Sequence, residues 1–148
     1  MFDRLKEFFA SSGNGAEKAG NETAIAVAAL LVEAAAADEN YSDAERKLIS
    51  VLLVGEFGVE PSSVEMILRE AETRQRDAVD LFRFIREVKP LSPDEKIKLV
   101  EALWRVILSD GEKDAFEDML VRRVCGLIHV SDVESGLARR RVLEGIAS

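Results

Sequence analysis

The sequence predicts an all-α fold: a multihelical single domain with two helices side by side at its centre. Three observations carry this expectation. Apolar residues recur at three- and four-residue spacings almost throughout, and no sustained alternation marks a strand. Proline occurs only at Pro61, Pro90 and Pro93. Helix starts are written repeatedly as a polar cap residue followed three positions later by glutamate: Ser42…Glu45, Ser62…Glu65, Ser92…Glu95, Ser131…Glu134 and the variant Asp114…Glu117. In such a capping box the cap side chain accepts a hydrogen bond from a free first-turn N–H. The glutamate accepts one from the cap residue's own N–H.

The elements follow in order. A short helix is expected over 2–10, with Phe2, Leu5, Phe8 and Phe9 on one side and Arg4, Lys6 and Glu7 on the other. Its apolar face suits docking on its own domain or on a partner, with a membrane surface as a third option. Ser11-Ser12-Gly13-Asn14-Gly15 reads as a flexible linker. Residues 1–20 are thus an amphipathic helix and linker, and residues 21–148 the main helical domain. The next helix, 22–37, is mostly alanine from Ala24 to Ala37, and small side chains let neighbours approach closely. Helix 43–55 starts at the Ser42 cap and ends near Gly55 and Gly58, residues that commonly stop helices. Helix 62–75 starts at Ser62, and Asp77 is placed to cap helix 78–88, which carries Val79, Phe82, Ile85 and Val88. Helix 93–109 follows Ser92. Pro93 takes its first position, where a missing N–H costs nothing. Helices 115–128 and 132–145 complete the chain. The run Val100 to Leu108 is bulky and holds Trp104. Helices 22–37 and 93–109 are therefore expected side by side, small residues against large.

The chain also repeats itself. At an offset of 72 residues, Asp38, Ser42, Glu45 and Leu48 correspond to Asp110, Asp114, Glu117 and Leu120. The unit is helix, acidic loop, helix, helix, covering 22–75 and 93–145, with helix 78–88 between the copies. Polar positions that recur in a repeat are the first place to look for function.

Composition sets outer limits. A chain of 148 residues with 47% hydrophobic content forms a real core and is not intrinsically disordered. A net charge of −8 argues against a nucleic-acid partner. It fits basic partners or cations, and equally plain solubility. The single cysteine, Cys125, excludes an internal disulfide framework and fits a reducing compartment. No secretory leader and no membrane-spanning run is recognisable, so a cytoplasmic location is expected. His129 is the sole histidine, so no histidine-based zinc cluster or catalytic triad forms within one chain. It is expected near a helix end. Cys125 matches Leu53 of the first copy and reads as a core residue. Arg139-Arg140-Arg141 suits contact with phosphate or anionic lipid, but in so acidic a chain it reads first as a solvated helix face. No glycine-rich phosphate loop or dinucleotide fingerprint is present.

Two acidic loops remain. Asp38-Glu39-Asn40-Tyr41-Ser42-Asp43-Ala44-Glu45 and Asp110-Gly111-Glu112-Lys113-Asp114-Ala115-Phe116-Glu117 are dense in oxygen donors, which calcium and magnesium prefer. Neither is an EF-hand. Asp43 and Ala115 stand where glycine is required, and Ile49 and Val121 where the bidentate glutamate is required. Capping accounts for Ser42, Glu45, Asp114 and Glu117 without a metal. Asp38 and Asp110 are less easily explained, because a helix C-terminus disfavours negative charge by roughly 0.3–1 kcal/mol. Local turn hydrogen bonding is the bland account of both.

The arrangement resembles the TerB-like family, named for a tellurite-resistance protein. The residues that carry the resemblance are Ala37-Asp38, Glu45 and Leu48, then Ser109-Asp110-Gly111, Glu117 and Leu120. The alanine-rich helix before the first loop and the Leu103-Trp104 helix before the second also match. Each motif alone is weak, and the duplicated spacing carries the likeness over about 21–145. One departure is Glu39 where the second loop has Gly111. The resemblance implies an all-helical fold with two long central antiparallel helices, and an acidic surface formed by Asp38, Glu45, Asp110 and Glu117, able to take a divalent metal ion such as calcium or magnesium. It implies a stress-response setting and a protein partner, membrane-associated ones included, but no known catalytic reaction. A non-enzymatic interaction module is the expectation, with a homo-oligomeric or purely structural role and a metal-dependent enzyme using the four acids as alternatives.

Overall fold

The computed structural model describes residues 14–36, 41–77, 81–109 and 115–147, with side chains described over 21–36, 41–77, 81–109 and 119–145. Among the described residues there are seven helices and no strand. They are α1 (Asn14–Ala36), α2 (Asp43–Phe57), α3 (Pro61–Asp77), α4 (Phe82–Val88), α5 (Pro93–Leu108), α6 (Ala115–Ile128) and α7 (Asp132–Ala147). None of them is long and apolar enough to cross a membrane. The expected N-terminal helix with its phenylalanine face lies outside the described residues.

The core is organised around α1. Every residue from Thr23 to Val32 is buried, and so are Ala34 and Ala35. A helix that is apolar on all faces must be enclosed on all faces. Accordingly α1 touches α2, α3, α4 and α5. The second central helix is α5, which buries Leu99, Val100, Ala102, Leu103, Trp104, Val106 and Ile107 between α1, α2, α6 and α7. The two helices do meet, as the small-against-large pattern predicts. The polar end of Trp104, however, points away to α7, where its Nε1–H donates to Ser135 Oγ at 3.2 Å. A buried indole needs an acceptor, and the alanines of α1 carry none on their side chains.

Boundaries follow local chemistry. The capping boxes at Ser42 and Ser92 both form. So does that at Ser131, where Glu134 N–H donates to Ser131 Oγ at 3.1 Å and Ser131 N–H to Glu134 Oε1 at 3.2 Å. The box expected at Ser62 does not form. Pro61, with its φ already helical, takes the first helical position, so Ser62 lies inside the first turn and Glu65 turns to Arg46 instead. Asp77 is the last residue of α3 rather than a cap, and α4 begins after Leu81 with no side-chain cap. At the N-terminus α1 begins at Asn14, so Asn14 and Gly15 are helical rather than part of a linker, and the boundary drawn at 20/21 falls within this helix. The Asp114…Glu117 pattern lies outside the described side chains.

Among the described residues, two helices end in left-handed residues. Gly58, at φ 68°, closes α2, and Val59 N–H reaches back to the Leu53 carbonyl at 3.0 Å. His129, at φ 64°, closes α6, and Val130 N–H reaches the Cys125 carbonyl at 2.9 Å. This second closure is a Schellman turn, in which glycine is the favoured left-handed residue. A side chain with a Cβ is strained there by roughly 1–2 kcal/mol. Replacing His129 with glycine is expected to stabilise the fold by about 0.5–1 kcal/mol once the greater freedom of unfolded glycine is subtracted. A urea titration measures the difference. A lower midpoint for His129→Gly would mean that the histidine ring contributes more than its backbone strain removes.

Candidate functional site

Of the four acids expected to form a site, only Glu45 has a described side chain. Its Oε1 accepts the Ser42 N–H at 3.0 Å and the Ser42 hydroxyl at 3.2 Å, so it is committed to the cap of α2. Asp38 and Asp110 lie outside the described residues. Glu117 lies in α6, but its side chain is outside the description. Among the described residues no group of three or more histidine, cysteine, aspartate or glutamate side chains is placed to hold a metal ion.

What is described is the exit of the first acidic loop, and it is firmly tied down. The guanidinium of Arg46 presents two edges, and a carboxylate occupies each. Nε and Nη2 donate to Glu72 at 2.8 and 3.2 Å. Nη1 and Nη2 donate to Glu65 at 3.1 and 3.0 Å. The Tyr41 hydroxyl donates to the same Glu72 Oε2 at 2.6 Å, and Arg69 adds a longer bond of 3.4 Å to Glu65. Bidentate pairing on both edges fixes the direction of the arginine as well as its charge. Tyr41, just before the Ser42 cap, the start of α2 and the body of α3 are joined by one network.

The titrations match this geometry. Hydrogen bonds from Glu72 and Glu65 raise the Arg46 guanidinium further above its ordinary range. Burial pushes the Tyr41 phenol up, and its bond to Glu72 pushes it further. Burial disfavours the charged form of Glu72, but the bonds from Arg46 and Tyr41 outweigh it and hold the carboxyl below its usual value. Arg46 likewise lowers Glu65. Near neutral pH Arg46, Glu65 and Glu72 are ions locked to one another, and Tyr41 is a neutral phenol donating to Glu72.

A second tie lies farther along α3. Arg74 donates to Glu22 of α1 at 2.6 and 3.2 Å and to Glu70 at 2.9 Å. Gln75 Nε2 donates to Glu33 of α1 at 2.6 Å. Arg74, Glu22 and Glu70 line a cleft of about 430 Å³ between α1, α3 and α4, together with Arg83, Arg86 and Glu87. Charges of both signs line it, so it has no single polarity to offer a ligand.

Sequence reasoning singled out the loop acids and missed Tyr41, Arg46 and Glu72. The four-residue spacings Glu65…Arg69 and Glu70…Arg74 signal helix-surface pairs. No such spacing links Arg46 to partners 19 and 26 residues away. Nor does the repeat help: at the offset of 72, Tyr41, Arg46, Glu65 and Glu72 become Lys113, Asp118, Leu137 and Glu144. The network is therefore peculiar to the first half of the chain.

The family model described as tellurite resistance protein TerB matches residues 24–140. The chain belongs to the TerB family. The matched span starts inside the buried run of α1 and ends in α7, so both acidic loops and the Arg46 network fall within the TerB region. No curated protein and no solved structure matches the chain.

Proposed function

We propose that this TerB-family chain is a non-catalytic interaction module of a cytoplasmic stress response. Its acidic loops engage the basic segment of a partner protein, and a divalent cation is the alternative occupant. The Arg46–Glu65–Glu72–Tyr41 network carries the reading. It ties Tyr41 and the start of α2, which follow the first acidic residues, to α3, and a frame fixed in advance lowers the conformational cost of binding beside it. Glu22, Glu45, Glu65, Glu70 and Glu72 are all engaged within that frame, which makes Asp38 and Asp110 the acids to test. A metal-dependent enzyme would need Asp38, Glu45, Asp110 and Glu117 around one centre, and the cap that holds Glu45 favours the non-catalytic reading.

The test compares the wild type with Asp38→Asn/Asp110→Asn. Affinity capture from the protein's own cells is expected to lose a specific partner with the double variant. Calorimetry with calcium, magnesium, manganese and zinc is run alongside, and binding heat that vanishes in the variant would assign the loops to a cation. Identical partner sets together with no binding heat at millimolar ion would overturn both forms of the reading.

A further inference from the structure

Three arginines are partly buried among the described residues: Arg46, Arg74 and Arg139. The first two each hold two carboxylates. Arg139 holds none. Its guanidinium carbon sits 5.6 Å from the centre of the Trp104 ring, and its Nε is enclosed by protein with no acceptor. Enclosed charged donors are costly to leave unmatched, and folded proteins as a rule match them. The two neighbours in the run behave otherwise: Arg140 pairs with Glu144 and Arg141 with Glu101.

Arg139 lines a cavity of about 280 Å³ between α5, α6 and α7, with Trp104, Arg122, Asp132, Ser135 and Gly136. Arg122 brings a second guanidinium from α6. Asp132 lies on the same wall but forms no ion pair with either arginine. Ser135 Oγ is engaged by the Trp104 N–H. At Gly136 a Cβ would meet nothing within 4 Å, so the wall there is open. Two planar cations therefore face one concavity, and one of them is already oriented by an aromatic ring.

We propose that this cavity is an oxyanion site, taking a carboxylate or phosphate group between Arg122 and Arg139. Guanidinium forks match both groups in a bidentate manner. The cavity is larger than either group, so the anion arrives as the end of a larger molecule. The site uses arginines where the loop reading uses acids, and its failure would leave that reading untouched.

The chain has one tryptophan, so the Trp104 indole N–H gives a single resonance at the wall of the site. The ¹⁵N-labelled full chain is titrated with inorganic phosphate and, separately, with acetate, at ionic strength held constant with chloride. A saturable shift of the indole resonance is expected, with a dissociation constant of about 1–10 mM, the range in which a few exposed charge-assisted bonds bind. Saturation by phosphate alone assigns a phosphoryl group, and saturation by acetate assigns a carboxylate. Arg122→Gln, which alters only an exposed side chain, is expected to weaken binding about tenfold, as loss of one charge-assisted bond does. Arg139→Gln is expected to abolish the shift, with circular dichroism melting as the check on its fold. Arg76→Gln, on α3, is expected to change nothing. The absence of a saturable shift with both anions, or equal affinity in Arg122→Gln and wild type, overturns the proposal.

Discussion

Leu30→Ala is expected to lower the unfolding free energy by about 3 kcal/mol, within the usual span for a leucine removed from a closed core. Leu30 is 0% exposed, and α1 is covered by four other helices. The cavity left behind cannot easily be refilled, because Ala26 and Ala34, four residues to either side on the same face of α1, carry only methyl groups that cannot extend into it. The melting temperature should fall by roughly 6–12 °C for a chain of this length. Val51→Ala is the comparison: Val51 is 59% exposed, and its loss should matter by no more than about 0.5 kcal/mol. Urea titrations of the two variants decide the matter. Equal midpoints would contradict the enclosure of α1.

Arg46→Met should cost about 2 kcal/mol at neutral pH. Breaking a fully buried ion pair costs more, but Arg46 and Glu72 keep 29% and 16% side-chain exposure, and water reduces the penalty. The loss comes mainly from Glu72, which would remain partly buried without its principal donor. No energy is assigned to Glu65, whose carboxylate stays in water. The pH dependence has a definite sign. The carboxyl of Glu72 titrates below its ordinary value in the fold, so its contribution is complete above the unfolded pKa, about 4.3, and disappears as pH falls through the lower folded value. The gap between wild type and Arg46→Met should therefore be full at pH 7 and close below about pH 4. A gap that persisted undiminished in acid would mean that Arg46 acts through packing of its aliphatic stem rather than through the ion pair.

Local rules made much of the fold legible in advance. The caps at Ser42, Ser92 and Ser131 depend on residues three apart, and all three form. Where two local rules competed, reading one alone misled. Pro61 overrode Ser62, and the run through Asn14 and Gly15 looked like a linker because those residues favour turns, yet both open α1. Long-range pairings left no periodic trace. Trp104 finds Ser135 across 31 positions, and Arg46 finds Glu72 across 26. Helical spacing shows which face of a helix is polar, but not which polar face it will meet. The same limit applies to the candidate site. The repeat pointed to Asp38 and Asp110 and correctly gave Glu45 to a cap, yet it contained no hint of the arginine that secures the loop's exit.

The position of α1 also bears on how the protein is made. This helix is synthesised before the others described, and it needs α2, α3, α4 and α5 to cover it. On the ribosome its last uncovered side waits for residue 108 to emerge. This strongly apolar helix therefore keeps an open flank from its own synthesis until residue 108 has emerged, and α5 in turn waits for α6 and α7.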